Sequence, residues 1–173
     1  HLPQLAECDL VIEAIAERMD WKNDLYAKIA PHLGANAVVA SNTSGLSINS
    51  LADGLPEAVR PRFCGIHFFN PPRYMHLVEI IATRGTDAAI LDALETWLTS
   101  RLGKGVIRAL DTPNFVANRI GVFSILAVMH HTAAFGLGFD EVDALTGPRI
   151  GPPKRATYRT ADPGGLGHRG HVC

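Results

Sequence analysis

Only three cysteines occur among the 173 residues, Cys8, Cys64 and Cys173, and no two stand near each other. An odd, scattered set argues against a disulfide framework and against a thiolate metal site, and points to a reducing, cytoplasmic compartment. Long hydrophobic runs are missing too. None reaches the roughly 18 residues that a membrane-spanning helix needs. The N-terminus opens on His1-Leu2-Pro3-Gln4 without the features of a signal peptide, and the chain begins in mid-pattern. Net charge is close to nil, -1 at pH 7, so neither nucleic acid nor an anionic membrane is favoured as a partner. No internal repeat is present. Lys104, between two glycines, lacks the spacing of a phosphate-binding loop.

What is present is an ordinary globular composition, 47% hydrophobic and 19% charged. Its pattern alternates. Asp9 to Ile15 reads as a buried strand and residues 20–33 as a helix, with Leu25, Ile29 and Leu33 in one stripe and Gly34 as a left-handed cap. Ala37 to Ala40 is the next strand, and a short helix is expected from Ser47 to Leu51. Strands at 63–69 and 76–81, a helix at 87–102 and a strand at 105–109 complete the series. Such alternation predicts an α/β fold with a mainly parallel sheet, whose ligands sit beyond the carboxyl ends of its strands.

After Asp111-Thr112-Pro113 the strands stop. Residues 114–136 read as one long apolar helix ended by Gly136, and Asp140 to Leu145 as a shorter one. The domain boundary is therefore set near residue 111, giving domains 1–110 and 111–173. The tail from Gly164 to Cys173 has no periodicity, and a metal site at His168, His171 and Cys173 is set aside.

The chemistry-bearing residues follow strands. A lone His in an apolar setting, such as His67, is ordinarily a satisfied core residue. Glu79 changes the balance. It lies in the apolar run Leu77-Val78-Glu79-Ile80-Ile81, where a carboxylate is costly unless paired. His67 is its nearest candidate partner, and a His–Glu pair is a general base with its orienting group. Ser41-Asn42-Thr43-Ser44 is either a helix cap or a set of donors at the sheet edge. Asn118 is either exposed or a donor aimed into a cleft between domains. Glu17 and Lys22 read as a solvated pair more readily than as a ligand clamp.

Together these segments resemble the 3-hydroxyacyl-CoA dehydrogenase family. The resemblance rests on Asp9–Glu17 (DLVIEAIAE), Ala40–Gly45 (ASNTSG), Gly65–Pro72 (GIHFFNPP), Leu77–Ile81 (LVEII) and Leu102–Arg119 (LGKGVIRALDTPNFVANR), in that order. The wording NPPRYMHLVEII and EVDALTGPRIGPPKRATYRTAD is most similar to long bacterial forms joined to an enoyl-CoA hydratase-like region. The resemblance implies a Rossmann-like NAD-binding domain followed by the start of a helical domain, with NAD as cofactor. It implies oxidation of L-3-hydroxyacyl-CoA to 3-oxoacyl-CoA in fatty-acid β-oxidation. By the same resemblance His67 is the base and Glu79 its orienting carboxylate. Ser44 and Asn118 bond the reacting oxygen or its surroundings, and Glu17, Lys22, Ser44 and Asn70 stand near the NAD ribose and nicotinamide.

Two features depart from the family. No Gly-x-Gly-x-x-Gly turn occurs before residue 41, and Pro163 to Cys173 leaves the family pattern. The expectation is therefore a fragment, with an edge strand and an uncovered long helix that favour a homo-oligomer. An inactive fragment and a dehydrogenase of free hydroxy acids are the alternative readings. A pure binding module is disfavoured by the buried Glu79.

Overall fold

The computed structural model describes residues 1–150 and 156–161. It divides the chain into two compact units, His1–Val116 and Ala117–Cys173. The first unit holds a five-stranded sheet in the order β1 (Leu10–Glu13), β2 (Val38–Ser41), β3 (Phe63–Phe68), β4 (Leu77–Ala82) and β5 (Gly105–Ala109). β1, β2 and β3 run parallel, β4 is antiparallel to β3, and β5 is parallel to β4. The sheet is mainly parallel, as the alternating pattern predicts. Helices α1 (Met19–Ile29), α2 (Ile48–Asp53) and α3 (Ala88–Leu102) lie between its strands in the chain.

Both faces of the sheet are covered, so its strands are apolar almost throughout. Successive side chains alternate between two cores. Val39, Phe63 and Ile81 pack with Tyr26, Ile29, Ile48, Leu51 and Phe115. Ala40, Cys64, Ile66, Val78 and Ile80 pack with Leu91, Leu94 and Leu98 of α3. Gly65 lies where the first core comes closest. A Cβ there would stand 2.9 Å from Ile48 Cδ1 and 3.0 Å from Ile81 Cδ1.

The helix ends have local causes. Ser47 caps α2 by accepting the Ser50 N–H, and Asp87 caps α3 by accepting the Ala89 N–H. Gly103, at φ 64°, closes α3 in the left-handed region. Gly34 does not do this for α1. Pro31 has no N–H to continue the ladder, so the α-helix stops at Ile29 and tightens into a 3-10 turn over Ala30–His32.

The second unit contains α4 (Ala117–Phe135), α5 (Phe139–Leu145) and α6 (Thr157–Ala161). The long helix starts three residues later than the hydropathy pattern predicts, because Asn114 and Phe115 adopt left-handed φ values of 62° and 49°. Gly136, at φ 62°, ends it. Helix α6 is not legible in the sequence. The Asp143 carboxylate of α5 accepts the backbone N–H groups of Tyr158 and Arg159, and the tilted Phe139 and Tyr158 rings have centroids 4.4 Å apart. The expectations about residues 164–173 lie outside the described residues.

Candidate active site

The site gathers at the edge formed by the carboxyl ends of β1, β2 and β3. Because β4 runs antiparallel to β3, its amino end lies at the same edge. His67, the fifth residue of β3, is therefore directly opposite Glu79, the third residue of β4. His67 Nδ1 and Glu79 Oε2 are 2.7 Å apart, with the residues 3% and 0% exposed. Ligands are expected at the carboxyl ends of the strands, and of the two residues only His67 lies near such an end. Antiparallel pairing puts Glu79 near the amino end of β4.

A carboxylate only accepts, so Nδ1 carries the proton in this pair, and Nε2 is the basic atom of the neutral ring. The second carboxylate oxygen, Oε1, accepts the Val116 N–H at 3.0 Å. Phe69 and Phe115 lie 4.5 Å and 5.7 Å from the imidazole, centroid to centroid. The left-handed turn at Asn114–Phe115 delivers both the aromatic ring and the Val116 donor. Asp111 anchors the start of this segment. It accepts from the backbone N–H groups of Ile48 and Asn49 and from the side chains of Ser47 and Asn49. Burial raises the Asp111 carboxyl, but those hydrogen bonds together outweigh it and hold it below its ordinary value.

A second polar cluster lies at the ends of β1 and β2. Lys22 is 1% exposed, and its ammonium bonds both oxygens of Glu13 at 2.9 and 2.8 Å and the Ile15 carbonyl at 3.3 Å. Ser41 and Tyr26 hydroxyls also donate to Glu13. Burial, then the Glu13 charge, push the Tyr26 phenol above its ordinary range, which keeps it a donor. Lys22 is thus no solvated partner of Glu17. The glutamate's Oε2 is 4.0 Å away, while its Oε1 accepts the Thr43 hydroxyl and the Ser44 and Gly45 N–H groups.

The structure brings Glu17 and Ser44 together through that backbone bond. Asn70 opens the exposed loop after β3, with a cis peptide to Pro71. Asn118 is the second residue of α4, in the other unit. Sequence reading missed Glu13, although it carries the same signal as Glu79, an acid inside an apolar run. It also missed Asn42, whose Oδ1 accepts the Phe68 N–H at 2.9 Å and ties the end of β3 to the β2 loop. Cys64 is no nucleophile candidate, since burial pushes its thiol up to about 12.

A mainly parallel sheet with an oriented His–carboxylate pair at its ligand-binding edge is the arrangement of a dehydrogenase-type α/β domain. The sequence model of the family "3-hydroxyacyl-CoA dehydrogenase, NAD binding domain" matches residues 1–112, and the chain belongs to that family. A probable 3-hydroxyacyl-CoA dehydrogenase of Deinococcus radiodurans is 45% identical over 172 residues, 99% of this chain and 50% of that protein. A probable 3-hydroxyacyl-CoA dehydrogenase of Bacillus subtilis is 43% identical over 98% of this chain and 22% of its own length. Among solved structures, (S)-3-hydroxybutyryl-CoA dehydrogenase of Ralstonia eutropha superposes with a TM-score of 0.75 at 36% identity, covering 83% of this chain and 50% of that one. The chain thus spans half or less of the curated relatives named here.

Proposed function

We propose that this chain is the acid–base half of an NAD-dependent dehydrogenase that oxidises L-3-hydroxyacyl-CoA to 3-oxoacyl-CoA in fatty-acid β-oxidation. The observation that carries this reading is the buried His67–Glu79 pair, 2.7 Å apart at the sheet edge. His67 takes the substrate hydroxyl proton at Nε2, while Glu79 holds the ring and favours the imidazolium that forms. When bound, NAD supplies the acceptor for the hydride that leaves C3. Glu17, Ser44 and Asn70 are exposed at the edge and offer donors and acceptors suited to ribose hydroxyls and a carboxamide. Lys22 fits only as support, because its donors are turned inward onto Glu13 and Ile15. Ser44 and Asn118 serve as donors to the reacting oxygen or its surroundings. The chain would work in the cytoplasm, in keeping with the free thiols of Cys8 and Cys64.

We also propose self-association. Ile120, Phe123 and Leu126 of α4 are exposed, Phe123 by 72%, and solvent-facing aromatic residues of this size favour a partner surface. The division into a Rossmann-like part over 1–110 and a helical part over 111–173 belongs to the same reading. Its central test is His67→Gln in the chain extended to the length of its relatives. Turnover with 3-hydroxyacyl-CoA should fall at least about a hundredfold with the Michaelis constant little changed, because the base acts in the transition state. Near-normal turnover at neutral pH would remove His67 from the mechanism.

A further inference from the structure

We propose that Lys104 is a positioning residue for the loop 69–76, and through it for Asn70, a role that rests on the dehydrogenase reading above. This loop joins β3 to β4 directly after His67. It is exposed along most of its length and makes few bonds of its own, chiefly the Tyr74 and Met75 N–H groups to the Pro71 carbonyl at 2.9 and 3.0 Å. Its shape is imposed from β5. The buried Lys104 ammonium donates to the carbonyls of Pro72 and Met75. The next residue, Gly105, donates its N–H to the His76 carbonyl at 2.9 Å. Gly105 also has no side chain where a Cβ would meet the His76 ring at 2.9 Å.

The base of the clamp is itself fixed. Gly103 turns the chain in the left-handed region, and the Lys104 N–H closes onto the Leu98 carbonyl of α3 at 3.1 Å. The partners of the ammonium among the described residues are backbone carbonyls rather than carboxylates. Burying a cation against dipoles alone is costly, and an apolar residue would fill the space without that penalty. What an apolar residue cannot do is hold two carbonyls of one loop at once. Because β4 and β5 are parallel, with Leu77 beside Gly105, the clamp lies at the same sheet edge as His67 and Glu79.

Lys104→Met and Lys104→Arg test the clamp, by hydrogen exchange in the present chain and by kinetics in the chain extended to the length of its relatives. With Met, the bonded Tyr74 and Met75 amides should exchange at least about tenfold faster while those of β3 and β4 keep their protection. The value of kcat/KM for 3-hydroxyacyl-CoA should fall about tenfold or more, and Arg should restore part of both losses. Lys104→Met combined with Asn70→Ala should be scarcely worse than Asn70→Ala alone, a non-additivity that a general loss of stability would not produce. Unchanged exchange at Tyr74 and Met75, or losses that multiply in the double variant, would overturn the proposal. If the loop loosens on cue but the unmodified enzyme oxidises no 3-hydroxyacyl-CoA, the clamp stands and the dehydrogenase reading falls.

Discussion

Lys22→Met puts the buried pair under the β1–β2 edge to a quantitative test. Lys22 and Glu13 have side chains 1% and 2% exposed, so solvent screening is minimal. Removing one partner of such a pair costs about 3–5 kcal/mol, because a charge is left buried without its counterion. Glu13 would still accept from Ser41, Tyr26 and the Ile15 N–H, which places the loss at the lower end, about 3 kcal/mol. With a urea slope of about 2 kcal/mol/M the midpoint should drop by about 1.5 M. Glu13→Gln alone should cost a similar amount, since it leaves the ammonium with the Ile15 carbonyl and a neutral amide. The double variant removes both charges and should be more stable than either single one. Urea titration followed by the fluorescence of the neighbouring Trp21 reads all four proteins. A midpoint change below about 0.5 M for Lys22→Met, or a double variant whose loss equals the sum, would refute the reasoning.

Three further outcomes can be checked. Gly65→Ala should cost about 1–3 kcal/mol, seen as a lower urea midpoint, since the methyl meets Ile48 and Ile81 in a filled core. The Asp111 carboxyl is held below its ordinary value, so it adds stability above about pH 4 that is lost as pH falls through the lowered value. Unfolding titrations of Asp111→Asn between pH 6 and pH 3, approximate limits around the usual carboxylate range, should show less acid destabilisation than the unmodified chain, a small difference because the group is partly exposed. The 173-residue polypeptide alone should bind NAD weakly, because no Gly-x-Gly-x-x-Gly turn before residue 41 presents backbone N–H groups to the pyrophosphate, and should scatter light as an oligomer. A monomer with low-micromolar affinity in calorimetry would contradict both expectations.

The strands and the helices between them were legible because their signals are local. β-branched runs and the helix-ending Gly136 act within a few residues, whereas the end of α1 is set by Pro31 and not by the expected Gly34. Glu79 was legible for a similar reason, as an acid in an apolar run. Glu13 carries the same signal, but the burial of its partner Lys22 depends on packing that no short window displays. The start of α4 differs from the hydropathy pattern because Asn114 and Phe115 look helical by hydropathy yet adopt left-handed φ values. Their left-handed backbone accompanies tertiary contacts, Phe115 against His67 and Val116 N–H onto Glu79. The clamp at Lys104 was hidden for the same kind of reason, as its acceptors are carbonyls some thirty residues away, at Pro72 and Met75.

The opposed β3 and β4 strands separate two evolutionary constraints. His67 and Glu79 are matched by ladder register, which is fixed by Cys64 against Ala82 and Ile66 against Ile80 just as much as by the pair itself. The intervening eight residues, Phe69 to His76, therefore need not set the distance between imidazole and carboxylate. Substitutions there leave the 2.7 Å between Nδ1 and Oε2 to the strands. Drift in this one hairpin connection is thereby uncoupled from the pairing of the two strands that flank it.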